Sequence, residues 1–513
     1  MTAFTDPPIT RYRWSSDDAA DRFTVDNPAT GSPIATLRGA GEKEVDAAVR
    51  AAYQGHLAWK ARTPHERGRY LRAIADAVRE HADEIARLET SDNGKPFSQA
   101  RQFDVEAAIA IFELFAGLTA AMPGAVRDSG PLLDVTTLEP YGVIAAIVPF
   151  NWPPIHTAGK LAPALAVGNA VVLKPPEQAP LSVLKVIEIA QSVLPDDVVH
   201  VLPGRGQVGA LLAGHPLVRK ISFTGAPATG TAVLRTAADH LTPALLELGG
   251  KNPLVVFDDA DLDSAIPWIV EGGWFNQGEA CTAASRVLVQ SGVYPQVAER
   301  VGAAVRRLRV GDGADPGTHV GPLVTAQQRR RVLDYLDIGV AEGATIAAQA
   351  ELPADPRLAD GHYVRPTLLT GVRPDMRVAK EEIFGPVVAL IPFDDEAEAV
   401  RIANDTEFGL VAGVFTADAE RAMRVSRAIE CGMVFVNHYH RAFIGTPFGG
   451  IGASGYGREH AHETLREFGY SKSLRIPSGA GPIPRWAPSV EVSDTTRERT
   501  ERTEPTGRTG RTE

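Results

Sequence analysis

The chain has 513 residues, 44% hydrophobic and 22% charged. That size and balance suit a soluble globular protein of two or three domains with ample core. Its formal net charge of -11 argues against a nucleic-acid binder, whose surface would be basic. Two cysteines, Cys281 and Cys431, with no CxxC or HExxH spacing, exclude a disulfide scaffold and a Cys-rich zinc site, and no metal centre is expected.

The N-terminal segment, residues 1–22, has no apolar h-region, and no run of 18 uncharged apolar residues occurs anywhere. A cytoplasmic protein without a membrane partner is expected. Helical periodicity follows over residues 45–53, 64–90 and 104–118, with Leu71, Ile74, Val78, Ile85 and Leu88 on one face of the second stretch. Residues 128–139 read as an extended detour. Short apolar runs at 143–148, 170–173, 198–202, 220–223 and 253–257 then alternate with helical patterns at 181–192 and 207–212. Such alternation predicts a parallel, doubly wound α/β sheet with right-handed crossovers. A second β/α series follows, with strands at 286–290, 387–393 and 432–437 and helices at 294–308 and 396–404. Residues 470–475 read as an exposed strand. The tail 477–513 begins rich in Gly and Pro and ends in Thr-Arg-Glu repeats, a composition that predicts disorder.

Two segments carry chemistry. Cys281 lies in Phe275-Asn276-Gln277-Gly278-Glu279-Ala280-Cys281-Thr282, and Glu247 in Leu246-Glu247-Leu248-Gly249-Gly250-Lys251. A thiolate is the strongest side-chain nucleophile, and a nearby carboxylate can serve as general base toward the thiol or toward water. Together they suggest acyl chemistry through a thioester. Taken alone, Cys281 could be a small core hydrophobe, and Glu247 with Lys251 at i+4 could be a helical ion pair.

Both segments resemble motifs of the aldehyde dehydrogenase superfamily: the first its nucleophile motif, the second its glutamate motif. Four more segments match in order. They are Pro149-Phe150-Asn151-Trp152-Pro153, Leu173-Lys174-Pro175-Pro176-Glu177-Gln178, Glu381-Glu382-Ile383-Phe384-Gly385-Pro386-Val387 and Pro447-Phe448-Gly449-Gly450. One such motif is weak evidence; six in the family's order and spacing are specific, and the resemblance runs from about residue 26 to residue 476.

The resemblance implies a Rossmann-like NAD-binding domain at 23–127 and 144–250 and a second α/β catalytic domain at 251–458. It also implies a small β oligomerisation platform at 128–143 and 459–476, in a homodimer or homotetramer. The implied cofactor is NAD, with NADP possible. Lys174 and Glu177 would meet the adenosine ribose, where a Glu accepts from both hydroxyls and repels a 2′-phosphate. Glu382 and Phe384 would hold the nicotinamide ribose and ring, with Pro149, Phe150 and Leu248 alongside. The turn after Phe223 and Thr224, with Gly225 and Gly230, would let a helix N-terminus approach the pyrophosphate. Where the family often has a hydroxyl residue there, this chain has Ala226, a departure that takes away one side-chain phosphate contact.

By the same resemblance Cys281 attacks an aldehyde, Asn151 holds the oxyanion, Glu247 activates water, and Lys160 supports the site. The substrate pocket would include Trp152, His156, Phe275, Ala280, Thr282, His440 and Phe448. Gly159 falls where many relatives carry a bulky residue, which implies extra room. No arginine pair is placed to clamp a carboxylate, so an aromatic or medium aliphatic aldehyde is expected. Two alternatives stand beside this reading. A CoA-acylating semialdehyde dehydrogenase would lack Glu247, and a catalytically silent structural or binding homologue would have lost Cys281, Glu247 or Asn151.

Overall fold

A computed structural model describes residues 22–440 and 443–484. The chain divides into two compact units, one within residues 1–123 and 138–471, the other within 124–137 and 472–513. The larger unit holds two sheets. The six-stranded sheet has the order Gly455–Tyr456, Ala244–Glu247, Val218–Thr224, Val143–Ile147, Ala170–Lys174, Val199–Val201. All its pairings are parallel except that of Gly455–Tyr456 with Ala244–Glu247. The seven-stranded sheet has the order Thr345–Gln349, Thr367–Thr370, Val387–Phe393, Arg286–Gln290, Pro253–Val256, Val411–Phe415, Met433–Val436. Only Thr345–Gln349 runs antiparallel there. In the smaller unit Ala125–Asp128 pairs antiparallel with residues 133–136, within a three-stranded sheet that also holds Gly469–Pro477.

Several elements depart from their predicted form. The helical stretch 64–90 is two helices, Pro64–Glu80 and Ala82–Asn93, broken at His81 (φ -103°, ψ 14°). The stretch 45–53 is the middle of a longer helix, Glu42–Lys60, whose N-terminal Gly41 amide is met by the Glu44 carboxylate at 2.9 Å. The detour 128–139 is a hairpin, Ala125–Asp128 and Leu132–Pro140, turning at Gly130 with φ +78°. Most of the predicted tail, from residue 485, lies outside the described residues, as do residues 1–21 of the N-terminal segment. Among the described residues no helix is long and apolar enough to cross a membrane.

Several helices were not predicted: Leu262–Trp274, Ala326–Ala341, Ala419–Ala428 and, nearest the site, Pro153–Val167. Pro153–Val167 is buried at every position, so it carries no polar face and no 3.6-residue contrast to read. Its start suits a helix, with Pro153 and Pro154 in the first turn. Its last carbonyls are capped by side chains from elsewhere. Trp59 Nε1 donates to Leu165 O at 3.0 Å, Arg67 Nε to Ala166 O at 2.9 Å, and Asn169 Nδ2 to Ala164 O at 3.0 Å. This helix covers one face of the six-stranded sheet together with Leu181–Val193, while Glu42–Lys60 and Gly206–Ala213 cover the other.

Gly55 measures how tightly these layers fit. It is mid-helix, where Ala is favoured by about 1 kcal/mol, yet an added Cβ would lie 2.1 Å from the Asp197 carbonyl oxygen. Backbone cannot swing aside, so sterics should win over propensity. Gly55→Ala is expected to destabilise the protein by about 1–3 kcal/mol, read as a lower thermal midpoint; a raised midpoint would show that the Asp197 turn yields freely.

Candidate active site

The carboxyl ends of the parallel strands supply the site, as open α/β sheets favour. Glu247 is the last residue of Ala244–Glu247, Thr224 the last of Val218–Thr224, and Lys174 the last of Ala170–Lys174. Asn151 follows the strand Val143–Ile147 and leads into the buried helix. Because Glu247 ends a strand, it forms no helical pair with Lys251, whose Nζ is buried and without a hydrogen-bond partner among the described residues.

Cys281 follows a tight turn, Phe275–Gly278, in which Asn276 (φ 53°) and Gln277 (φ 56°) both adopt left-handed backbone. Such conformations are costly for residues with side chains and persist where surrounding contacts enforce them. Asn276 Nδ2 donates to the Asn151 carbonyl and to the Glu279 carbonyl, each at 3.0 Å. Asn252 Nδ2 donates to the carbonyls of Cys281 at 2.7 Å and Ala283 at 2.9 Å. Gly250 is required beneath this loop, since a Cβ there would lie 2.4 Å from Cys281 O.

Asn151 is held from below. Its carbonyl also accepts from Lys95 Nζ at 3.0 Å, and Asn93 Nδ2 donates to Phe150 O at 2.8 Å. Lys95 is itself buried and pairs with Glu89 and Asp104. Neither Lys95 nor Asn252 stood out in the sequence, because each acts on the main chain and neither carries chemistry of its own.

Cys281, Glu247 and Asn151 line one cleft of about 1020 Å³, with Pro149, Phe150, residues 224–228, Leu248, Glu382 and Phe384. The cleft is also lined by Gln328 and Arg331, which sequence reading missed. Gln328 Nε2 donates to Phe384 O at 2.6 Å and Arg331 Nη2 to Glu382 O at 2.7 Å, so both support residues of a recognised motif. Phe384 holds φ +60° and meets the Phe150 ring edge-to-face at 5.8 Å. Glu382 Oε1 accepts from the Gly250 amide at 2.9 Å, and burial pushes its carboxyl up to about 7. Lys174 Nζ bonds Glu177 Oε2 at 3.0 Å.

Gly225 and Gly230 serve differently from expectation. A Cβ on Gly225 would lie 2.6 Å from the Phe223 ring, and one on Gly230 would lie 2.8 Å from the Leu248 side chain. Their missing side chains therefore admit the chain's own residues. What opens onto the cleft is the start of helix Pro227–Ala238, which no side chain caps at Ala226, so its first-turn amides suit an anion.

Lys160 is buried, with Nζ bonded to Thr224 Oγ1 at 2.8 Å, Ser222 Oγ at 3.2 Å and Glu459 Oε1 at 2.9 Å. Glu459 is another residue that sequence reading missed; it lies in no recognised motif. Burial, and next the Glu459 carboxylate, push Glu247 up to about 8. Burial, and next Glu247, push the Cys281 thiol well above its ordinary range. Glu247 acts on the thiol through its charge and through a side-chain hydrogen-bond interaction, and that interaction in turn lowers Glu247. The thiol is therefore un-ionised near neutrality in this state. Cys431 is half-buried, and desolvation pushes its thiol up to about 11.

The pocket residues divide. Trp152 stacks on Phe275 with centroids 5.7 Å apart, and Phe103 packs on both. Phe448 lies 5.3 Å from the His460 ring. His156, Ala280 and Thr282 are buried. His440 is exposed, with its amide donating to His438 Nδ1 at 3.2 Å, and no described contact brings it to this group. The extra room expected at Gly159 is filled: a Cβ there would lie 3.1 Å from His460 Nε2. Among the described residues no cluster of three or more His, Cys, Asp or Glu could hold a metal ion.

The model of the Aldehyde dehydrogenase family matches residues 14–474. The chain belongs to that family. It is 48% identical over 487 residues to aldehyde dehydrogenase citD of Monascus ruber, covering 95% of this chain and 97% of the relative. Among solved structures, PnpE in complex with nicotinamide adenine dinucleotide is 40% identical, with TM-score 0.88, covering 90% of this chain and 96% of that one. Betaine aldehyde dehydrogenase from Staphylococcus aureus in complex with NAD+ is 35% identical, with TM-score 0.88, covering 92% and 94%. The α/β fold and the membership in a family of aldehyde-oxidising enzymes thus agree with the six motifs.

The raised thiol leads to a measurable consequence in the cofactor-free protein. At pH 9 the Glu247 carboxylate is ionised and opposes ionisation of Cys281. Glu247→Gln should therefore speed alkylation of Cys281 by iodoacetamide, followed by peptide mass spectrometry. Slower alkylation in the variant would show that Glu247 serves as the thiol's base before cofactor binds.

Proposed function

We propose that this protein oxidises an aldehyde to a carboxylic acid with NAD, through a thioester on Cys281 that Glu247 helps water to hydrolyse. The observation that carries the reading is the convergence of Cys281, Glu247 and Asn151 on one cleft, with burial raising both reactive groups and Glu247 raising the thiol further. The cleft's volume, its uncapped helix start and the buried Glu382 carboxyl fit a dinucleotide. In this reading residues 224–228 face the pyrophosphate, Lys174 and Glu177 the adenosine ribose, and Glu382 with Phe384 the nicotinamide ribose. NAD held there would supply the hydride acceptor.

The chain's own residues do the rest. Cys281 Sγ forms a bond to the carbonyl carbon, and its thiol proton leaves to Glu247 or solvent. Asn151 and the Cys281 amide donate to the oxygen as charge develops on it. Loss of hydride from that carbon leaves the thioester. Glu247 then takes a proton from water, whose oxygen attacks the thioester carbon; the carbon–sulfur bond breaks and the acid departs. Lys160 and Glu459 set the charge around Glu247. The active form is taken to be a cytoplasmic homodimer or homotetramer, which light scattering on the full chain would test.

NADH formation on an aldehyde panel tests the activity. Asn151→Ala should lower kcat by about 10²–10³-fold, the usual effect of removing one oxyanion donor; a change below about threefold would make Asn151 merely structural. A general base works only when deprotonated, so with Glu247 at about 8 kcat should rise as pH passes through that region. Glu247→Gln should remove that limb and leave an acyl-enzyme visible by mass spectrometry. A wild-type rate that depends on added CoA would defeat hydrolysis.

A further inference from the structure

Two imidazoles lie buried beside the proposed site. His156 is 3% exposed and His460 7%. Both ring nitrogens of His156 and Nε2 of His460 have no hydrogen-bond partner among the described residues, the Glu459 carboxylate lying 4.0 Å from His460 Nε2. Leaving one buried polar atom unsatisfied costs about 1–3 kcal/mol, so three in one place call for a reason beyond packing.

The two rings are neighbours. Gly159 stands three residues after His156 on the buried helix, and the Cβ position of Gly159 lies 3.1 Å from His460 Nε2. Any larger residue at 159 would push the second imidazole away. His460 also holds φ +64°, an uncommon conformation for a residue with a side chain and one that accumulates at ligand sites. On one side, Trp152 begins the turn that carries His156 and stacks on Phe275, the first residue of the Cys281 motif. On the other side, the Phe448 ring lies tilted by 36° over His460. Behind the histidines run Lys160 and Glu459, the pair that sets the charge around Glu247.

We propose that His156 and His460 form a hydrogen-bonding wall of the substrate site, selecting aromatic aldehydes that carry a hydroxyl group over those that do not. The proposal rests on the aldehyde-oxidising reading given above. Burial lowers the pKa of both rings; Lys160 adds to this at His156, while at His460 the Glu459 carboxylate opposes it. A neutral imidazole offers one donor and one acceptor, the complement of a hydroxyl. A carboxylate would need a cation to meet it, and the two nearby ammonium groups are engaged: Lys160 by Glu459, Lys95 by Glu89 and Asp104. A quaternary ammonium would seek an aromatic face, but Lys95 Nζ already lies 4.3 Å from the Trp152 ring centroid. The stacked and edge contacts of Trp152, Phe275 and Phe448 suit a flat ring.

Sites built to bond a substrate hydroxyl discriminate strongly against the analogue lacking it, because their own polar groups are then left unpaired. The test compares kcat/KM for 3-hydroxybenzaldehyde, 4-hydroxybenzaldehyde and benzaldehyde, using the full chain with NAD. At least one hydroxylated isomer should exceed benzaldehyde by about tenfold or more, chiefly through KM. In His156→Met and His460→Met that ratio should fall to within about threefold of unity, whereas His156→Gln, which keeps a donor and an acceptor, should retain more of it. A wild-type ratio below about threefold for both isomers would overturn the proposal, and this comparison needs no variant to fold. So would a ratio that survives in both Met variants. If no aldehyde yields NADH, the activity itself fails and the proposal with it; if benzaldehyde and its hydroxylated forms are oxidised alike, only the histidine wall fails.

Discussion

A single buried ammonium underlies the arrangement of the site. Lys95 sits fully enclosed, and among the described residues its Nζ bonds Glu89, Asp104 and the Asn151 carbonyl. Enclosing these charges costs several kcal/mol per ion before their attraction returns it, so the cluster is poor evidence for stability. What it supplies is position. Two carboxyls share one cation, and burial, with Glu89 close by, pushes Asp104 well up. Lys95 then fixes the main chain at Asn151 from below and lies against the Trp152 ring. Both walls of the reaction site, the polar one and the aromatic one, are referenced to the same nitrogen.

Above that level the charges are ordered by desolvation. Glu459, Lys160, Glu247 and Cys281 are all buried, and in a medium of low polarity each feels its neighbours far more than it would in water. Glu459 raises Glu247 and Glu247 raises Cys281. Lys160 opposes this, but its ammonium is divided among Glu459, Thr224 and Ser222. A carboxyl at about 8 is a base strong enough to take a proton from water and weak enough to release it near neutrality, the range in which general-base catalysis is most effective.

Much of this was legible in the sequence. Most strands of both sheets came from short apolar runs, though Ala244–Glu247, Thr345–Gln349, Thr367–Thr370, Val411–Phe415 and Gly455–Tyr456 did not, and the nucleophile, the carboxylate and Asn151 came from motifs that the cleft brings together. The buried helix Pro153–Val167 was not legible, because a helix enclosed on all sides has no polar stripe to reveal its period. Nor were Lys95, Asn252 and Glu459. Each works through contacts distant in the chain, such as Lys160 with Glu459, and nothing in their local sequence reports them. Glycine was readable as a need for space but not as to what fills the space. At Gly225 and Gly230 it is Phe223 and Leu248, and at Gly159 it is His460.

The un-ionised state of Cys281 bears on the durability of the resting protein. Peroxides and electrophiles attack thiolates far faster than thiols, and oxidation beyond the sulfenic stage is essentially irreversible. A sulfur kept protonated by burial and by a facing carboxylate offers such reagents little to react with, and at 7% exposure it is also hard to reach. The same two features that demand activation before each turnover therefore shield the nucleophile between turnovers. Cells under oxidative stress accumulate reactive aldehydes and peroxides together, and a dormant sulfur lets an enzyme meet the first without being consumed by the second.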